Sequence, residues 1–323
     1  MLSRGKRYEK GRIIYAIFAE SQPFPLLYAK ISRDPSFDFT LQKEWTNLKT
    51  LRELNDPILN NTVPAPLDLI RIRDRLVLFE SSLQGRTMLH LTDGLGLRTG
   101  TELDTHTRRL INLVEEWLHH LHRATKLGTE VIRPDFCERR GSSITDQYLR
   151  NLGNSDDARE TCSIVLRGLR RFEGVALPLV MTNGNLAPQT ILVDDQLCKI
   201  GVVDWKFSEW TSLPLREYYC FSQYLFYAWF VRGFLGQREI VEEWIRTFLV
   251  EDSYLGKLLS SFTSRVNQQL GIETELADFL FALFLMNEVN IQIEHSKFIP
   301  DVKAMLEQKF LDLWMNRRLR RSE

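Results

Sequence analysis

The sequence predicts an α+β chain: a small antiparallel sheet with one helix at its amino end, then a mainly helical remainder. Three observations predict it. Paired β-rich runs are confined to residues 12–79. From residue 110 onward, apolar residues recur at helical spacing almost to the carboxy terminus. Between those helical stretches lies one strand–loop–strand block, residues 177–205.

Taken in order, Arg12–Glu20 and Leu26–Ser32 read as strands, joined into a hairpin by the loop Ser21-Gln22-Pro23-Phe24-Pro25. Thr40 stands where a hydroxyl can cap a helix over Leu41–Leu54, whose Leu41, Trp45, Leu48 and Leu51 share one face. Leu67–Ile72 and Arg75–Phe79 flank a tight Arg73-Asp74 turn, and the polar segment Glu80–Arg86 with Gly85 follows. Helices are predicted at Leu110–Arg123, Ala158–Arg171, Glu217–Leu235, Glu239–Leu249, Glu275–Ile293 and Pro300–Leu319. No internal repeat or low-complexity tract interrupts them.

Composition bounds the function. The 323 residues suffice for two lobes, each with its own core. Lysine plus arginine and aspartate plus glutamate number 42 each, and that balance argues against nucleic acid as the main partner. The four cysteines, Cys137, Cys162, Cys198 and Cys220, form no CxxC pair, as expected of reduced thiols in a cytoplasmic protein. The most apolar window, Tyr218–Gly236, carries Ser222, Gln223 and Arg232, so no integral membrane segment is expected.

The block at residues 177–205 carries the chemistry. It reads LPLVMTNGNLAPQTILVDDQLCKIGVVDW, an apolar strand, a polar loop, and a second apolar run ending in Asp204-Trp205. Asn185 lies nineteen positions before Asp204. This layout resembles the aminoglycoside phosphotransferase and choline kinase superfamily, a branch of the protein-kinase-like fold, whose pattern is H-G-D-L-x-P-x-N-I-L-V followed by a strand ending I-D-W. The segment Trp117-Leu118-His119-His120-Leu121-His122 resembles the helix end that precedes that loop. The resemblance implies a bilobal fold: an N-lobe over residues 1–80, a hinge at 81–86, and a helical C-lobe over 87–323.

It also assigns roles, several with altered side chains. Asn183 stands at the family's His, Asn185 at its catalytic Asp, Thr190 at its metal-binding Asn, and Asp204 at its metal-binding Asp. An amide at position 185 cannot ionise, and base catalysis is typically worth ~10²–10⁴-fold in rate. Thr190 can still offer one oxygen to Mg²⁺. Lys30 stands where the family's strand lysine holds the nucleotide phosphates, and Glu44, fourteen residues on, where a helix glutamate holds that lysine. Glu80, at the start of the hinge, completes the expected cofactor-binding set for ATP. The phosphate-covering loop has no GxGxxG; Gly5, Lys6, Lys10, Gly11 and Arg12 are its only candidates. Lys206, directly after Asp204-Trp205, shares a face with Asp204 if the strand continues, and could neutralise phosphate in place of part of the metal's charge. Glu217 stands at a carboxylate that braces the catalytic loop.

Other chemistries fare worse. Among His119, His120 and His122 the adjacent imidazoles fall on different helix faces and no Cys or acid motif joins them, and no GxSxG or Rossmann fingerprint is present. A polycationic aminoglycoside acceptor would call for an acid-rich cleft, and Asn287–His295 offers only Glu288 and Glu294, both readable as helix-surface residues. Three readings follow from the sequence: a nucleotide-binding pseudokinase working with a protein partner, an atypical ATP-dependent phosphotransferase acting on a small hydroxylated substrate, and an interaction scaffold without nucleotide.

Overall fold

β1 (Arg12–Ile17) and β2 (Leu27–Ser32) form the expected hairpin, in a computed structural model that describes residues 11–20, 22–92, 101–152, 154–230, 237–296 and 302–319. β1 ends three residues before the predicted Glu20. The helix α1 (Asp38–Glu53) begins three residues before the predicted Leu41, because a 3-10 turn over Pro35–Phe37 leads straight into it. No side chain caps α1, whose N-cap is Phe37: Asp34 caps the preceding turn, accepting from the Ser36 amide, and the Thr40 hydroxyl donates back to the Phe37 carbonyl at 2.8 Å. α2 (Pro57–Thr62) follows, with Asp56 accepting from two amides at its start and Pro57 in its first turn. β3 (Pro66–Ile72) and β4 (Arg75–Ser81) complete a four-stranded antiparallel sheet of order β1-β2-β4-β3.

One face of α1 closes that sheet. Leu41, Leu48 and Leu51 are all at most 1% exposed, and Leu41 packs with Leu76 and Leu78 beneath Trp45 and Leu69. Fully burying a leucine is worth ~1.5–3 kcal/mol, so this stripe holds the helix in place. Glu44 lies in the same stripe, which is how a carboxylate comes to be buried there.

β5 (Arg86–Thr87), α3 (Met88–Thr92) and α4 (Thr101–Ala124) continue the chain. After β6 (Gly128–Val131), a run of helices and β7 (Ala176–Thr182), the short strands β8 (Ile191–Val193), β9 (Ile200–Val202) and β10 (Glu209–Thr211) follow. β5, β8 and β9 make an antiparallel sheet of that order. Contacts divide the molecule into two compact units, one of Met1–Asp93, Thr99–Lys126 and Met181–Thr211, the other of the remaining residues.

The second unit is largely helical: α5 (Pro134–Phe136), α6 (Ser143–Asn151), α7 (Asp156–Arg170), α8 (Leu215–Phe230), α9 (Gln237–Trp244), α10 (Tyr254–Leu270), α11 (Thr274–Ser296) and α12 (Val302–Trp314). Short π-helical turns follow α5, α9 and α12. α10 is absent from the predicted set, although Ser253 caps its start and Gly271, at φ 67°, ends it. α11 is the centre of this unit, since Phe279–Met286 is buried on every side. α7 approaches it so closely that a Cβ on Gly168 would lie 2.0 Å from the Phe279 ring. Predicted helical residues 231–235, 300 and 301 lie outside the described residues. Among those described, no helix is long and apolar enough to cross a membrane.

Candidate functional site

Lys30 lies on β2, inside the sheet, and is 5% exposed. Its Nζ donates to Glu44 Oε1 at 2.8 Å and pairs with Glu80 Oε1 at 2.7 Å. The first contact was expected; the second follows from sheet register. Lys30 faces Leu78 across β2 and β4, so Glu80 is its diagonal neighbour on the same face. Glu80 therefore belongs to the sheet interior, with β4 extending to Ser81.

Glu44, fully buried, gathers three donors. Besides Lys30 it accepts from the Arg12 guanidinium, and from the Trp205 backbone amide at 3.2 Å. One turn along α1, Asn47 donates to the Trp205 carbonyl at 2.8 Å and the Ser208 carbonyl at 3.2 Å. The helix thus grips the turn that carries Asp204 at two successive positions. Asn47 was not foreseen. Its position three residues after Glu44 was the signal available, since the two must share a face.

Asp204 does not continue a strand. β9 ends at Val202, Asp204 takes a left-handed conformation at φ 67°, and Trp205–Phe207 form a 3-10 turn. Asp204 and Lys206 meet through that turn rather than along a strand, with Nζ 2.9 Å from Oδ2. The other carboxylate oxygen, Oδ1, faces Arg12 Nη1 at 3.7 Å. Both oxygens of Asp204 are therefore engaged by cations.

The loop before it is tightly braced. Asn183 is fully buried; its amide nitrogen donates to the Val203 carbonyl at 3.4 Å, and its Oδ1 accepts from the Asn185 amide at 3.3 Å. Gly184 has φ +79°, and a Cβ there would lie 2.2 Å from the Phe207 carbonyl oxygen. Thr190 is 5% exposed, and its hydroxyl bonds within the loop, to the Asn185 carbonyl at 3.1 Å, the Ala187 carbonyl at 2.9 Å and the Ala187 amide at 3.1 Å. Asn185, half-buried, sits between these anchors.

The electrostatics divide the carboxylates. Burial opposes charge on Lys30, but Glu44, Glu80 and Asp204 outweigh it and hold its pKa above the ordinary value. Burial likewise works against an ionised Glu44; Lys30 and Arg12 prevail and keep it ionised, at about 2. Glu80 goes the other way. Burial, joined by Glu44 and Asp204 and only partly countered by Lys30, pushes it up to about 7. Its Oε2 is buried without a hydrogen-bond partner among the described residues. A folded pKa of about 7 against the ordinary 4.5 means that the folded chain keeps a proton which the unfolded chain releases, so stability falls as pH rises across that window. Glu80→Gln should remove that decline, matching the parent below pH 4.5 and exceeding it in stability above pH 7, in urea unfolding across pH. Equal slopes would assign the titration elsewhere.

The remaining candidates lie around this network or apart from it. Gly5, Lys6 and Lys10 lie outside the described residues, whereas Arg12 is at the network's centre. On α4, His120 pairs with Asp56 at 2.7 Å, His119 is exposed, and His122 is buried, with a pKa that burial, helped by His119, pulls down to about 3. Glu217 is fully buried in the first turn of α8. Glu288, read as a surface residue, is instead 5% exposed.

No protein-family model matches the chain, and no curated protein matches it. Solved structures do. A thermostable mutant of aminoglycoside phosphotransferase APH(4)-Ia, in its apo form, superposes with a TM-score of 0.60 at 12% identity, over 98% of this chain and 93% of that one. A glucosamine kinase in complex with glucosamine, ADP and inorganic phosphate gives 0.54 at 13% identity, over 92% of this chain and 77% of that one. The gentamicin complex of APH(2")-IIa gives 0.50 at 9% identity, over 88% of this chain and 84% of that one.

Proposed function

We propose, for a backbone that has the kinase-like fold of aminoglycoside phosphotransferases and glucosamine kinase, that this chain is a nucleotide-binding pseudokinase acting as a regulator or accessory subunit. In this reading residues 81–86 are the hinge, Lys30 meets the phosphates of ATP, Glu44 and Glu80 hold Lys30, and Asn185 occupies the catalytic position without serving as a base. The observation that carries it is the pairing of an assembled Lys30–Glu44 bridge with an Asp204 already engaged by Lys206 and Arg12.

Asp204 and Thr190 are the metal positions, and as arranged they fit Mg²⁺ poorly. Mg²⁺ asks for near-octahedral oxygen donors at ~2.0–2.1 Å, usually including one or two carboxylates. Here the carboxylate is shared between an ammonium and a guanidinium, and the Thr190 hydroxyl closes its own loop. Lys206 takes over part of the metal's work by standing beside Asp204 as a fixed positive charge. Lys30, Arg12 and Lys206 face two carboxylates when Glu80 is protonated and three when it is ionised, so nucleotide binding also favours the protonated Glu80.

Thermal unfolding with ATP, with and without Mg²⁺, tests the reading. ATP at a hundredfold excess over its dissociation constant should stabilise the folded chain by ~2.7 kcal/mol, and Mg²⁺ should add little. A shift that requires Mg²⁺ would refute the substitution by Lys206, and the absence of any shift at millimolar ATP would favour an interaction scaffold. A second reading, weak phosphoryl transfer to a small hydroxylated substrate, draws support from the same intact Lys30–Glu44 bridge.

A further inference from the structure

The helical unit holds a cavity of ≈ 230 Å³ whose lining comes from α8, α10, α11, the end of α12 and the segments after α9 and α12, and which shares no residue with the Lys30 network. Part of its wall is aromatic. Phe281 and Trp314 meet edge to face at 4.5 Å, and Phe248 stacks on Phe281 at 6.1 Å.

Much of the polar lining is already satisfied. Glu251 accepts from Ser260 at 2.6 Å and from Arg318 at 2.7 Å, and Thr247 bonds Ser253 at 3.0 Å. Three groups stand apart. Asn267 Oδ1 and Ser222 Oγ have no hydrogen-bond partner among the described residues, although the two residues are only 6% and 4% exposed. The Asp278 carboxylate makes no hydrogen bond or ion pair among the described residues, while its backbone carbonyl accepts from the Trp314 indole at 3.2 Å. Leaving a buried polar group unmet costs ~1–3 kcal/mol, so such groups mark the place of an absent partner.

The partner's chemistry follows from theirs. An amide oxygen and a carboxylate accept hydrogen bonds only, and a hydroxyl can accept them. The charged side chains on the lining are Glu251 and Asp278 against Arg318, which is already bound to Glu251. Asp278 is correspondingly short of positive charge. Burial raises its carboxyl to about 6, Arg318 opposes the rise, and Glu251 and Glu275 reinforce it. Acceptors beside aromatic faces suit a cation that carries several N–H donors. The volume has room for roughly eight waters at ~30 Å³ each, and so for a ligand of about that many heavy atoms.

We propose that this cavity binds a small organic ammonium, with its N–H donors on Asp278 and Asn267 and its apolar part against Trp314 and Phe281. The site shares no residue with the Lys30 network and does not depend on the function proposed for that network.

Calorimetric titration of the full chain with benzylammonium, against benzyl alcohol as a neutral isostere, tests the assignment. The ammonium should bind at least about tenfold tighter than the alcohol, and Asp278→Asn should remove that advantage while leaving the alcohol unaffected. If Asp278→Asn does not fold, Asn267→Ala should weaken the ammonium in the same selective way. Equal affinities for the two probes, an ammonium affinity unchanged by both substitutions, or no binding heat from either probe would overturn the proposal and leave a cavity that holds only water.

Discussion

Glu44→Ala is expected to lower the unfolding free energy by about 3–5 kcal/mol, the usual cost of stripping one partner from a buried ion pair. Three donors converge on that side chain: the Lys30 ammonium, the Arg12 guanidinium and the Trp205 amide. Alanine would leave Lys30 with Glu80 alone, and Glu80 prefers to keep its proton near neutrality. The Trp205 amide would lose its acceptor, loosening the turn that presents Asp204. Nucleotide-dependent stabilisation should disappear as well. Urea unfolding with an unchanged m-value measures the first effect, and thermal unfolding with ATP the second. Glu44→Gln, which keeps an acceptor but not the charge, should fall between the two. A loss below about 1 kcal/mol for alanine would mean the network is held by its neighbours rather than by Glu44.

Asn185→Asp combined with Lys206→Ala is expected to raise the rate of phosphate release from ATP by about 10²–10⁴-fold, the range typical of a restored general base. The first change supplies a group that can accept a proton, in nearly the same shape as the amide it replaces. The second frees Asp204 Oδ2, which Lys206 now holds at 2.9 Å, and so makes a carboxylate available to Mg²⁺. Asn185→Asp alone should give a smaller gain. Changing Thr190 as well is not advised by the geometry, because its hydroxyl ties the Asn185 and Ala187 carbonyls together. A double variant that binds nucleotide but turns over no faster would show that the cleft has drifted beyond repair by these two side chains.

Much of this arrangement was legible in the sequence. The β-rich runs, the turn at Arg73 and the stripe on α1 come from short-range rules of periodicity and spacing, whereas the Lys30–Glu44 pair was implied only by the resemblance of the 177–205 block to a known family. The altered loop was legible too, since Asn183, Asn185 and Thr190 sit in an otherwise regular frame. What could not be read came from the third dimension or from overlooked caps. Glu80 was placed in a connection because its polarity outweighed its place in the alternation of β4. Arg12 gave no sign of reaching both Glu44 and Asp204, contacts that span 32 positions and more. α10 was missed despite Ser253 and Gly271, because its apolar residues are interleaved with serines and glutamines.

The grip of α1 on the Asp204 turn has a consequence for how the molecule is made. Glu44 and the Trp205 amide are 161 positions apart. Ribosomes add ~5–20 residues per second, so roughly 8–30 s separate the synthesis of the two. During that interval the amino-terminal sheet can already carry its Arg12, Lys30 and Glu44 charges in mutual contact, since all three lie within the first 44 residues. The nascent sheet thus has an internal means of neutralising its buried carboxylate before its later partner exists. The Trp205 turn can then dock onto a charge cluster already made by residues synthesised well before it.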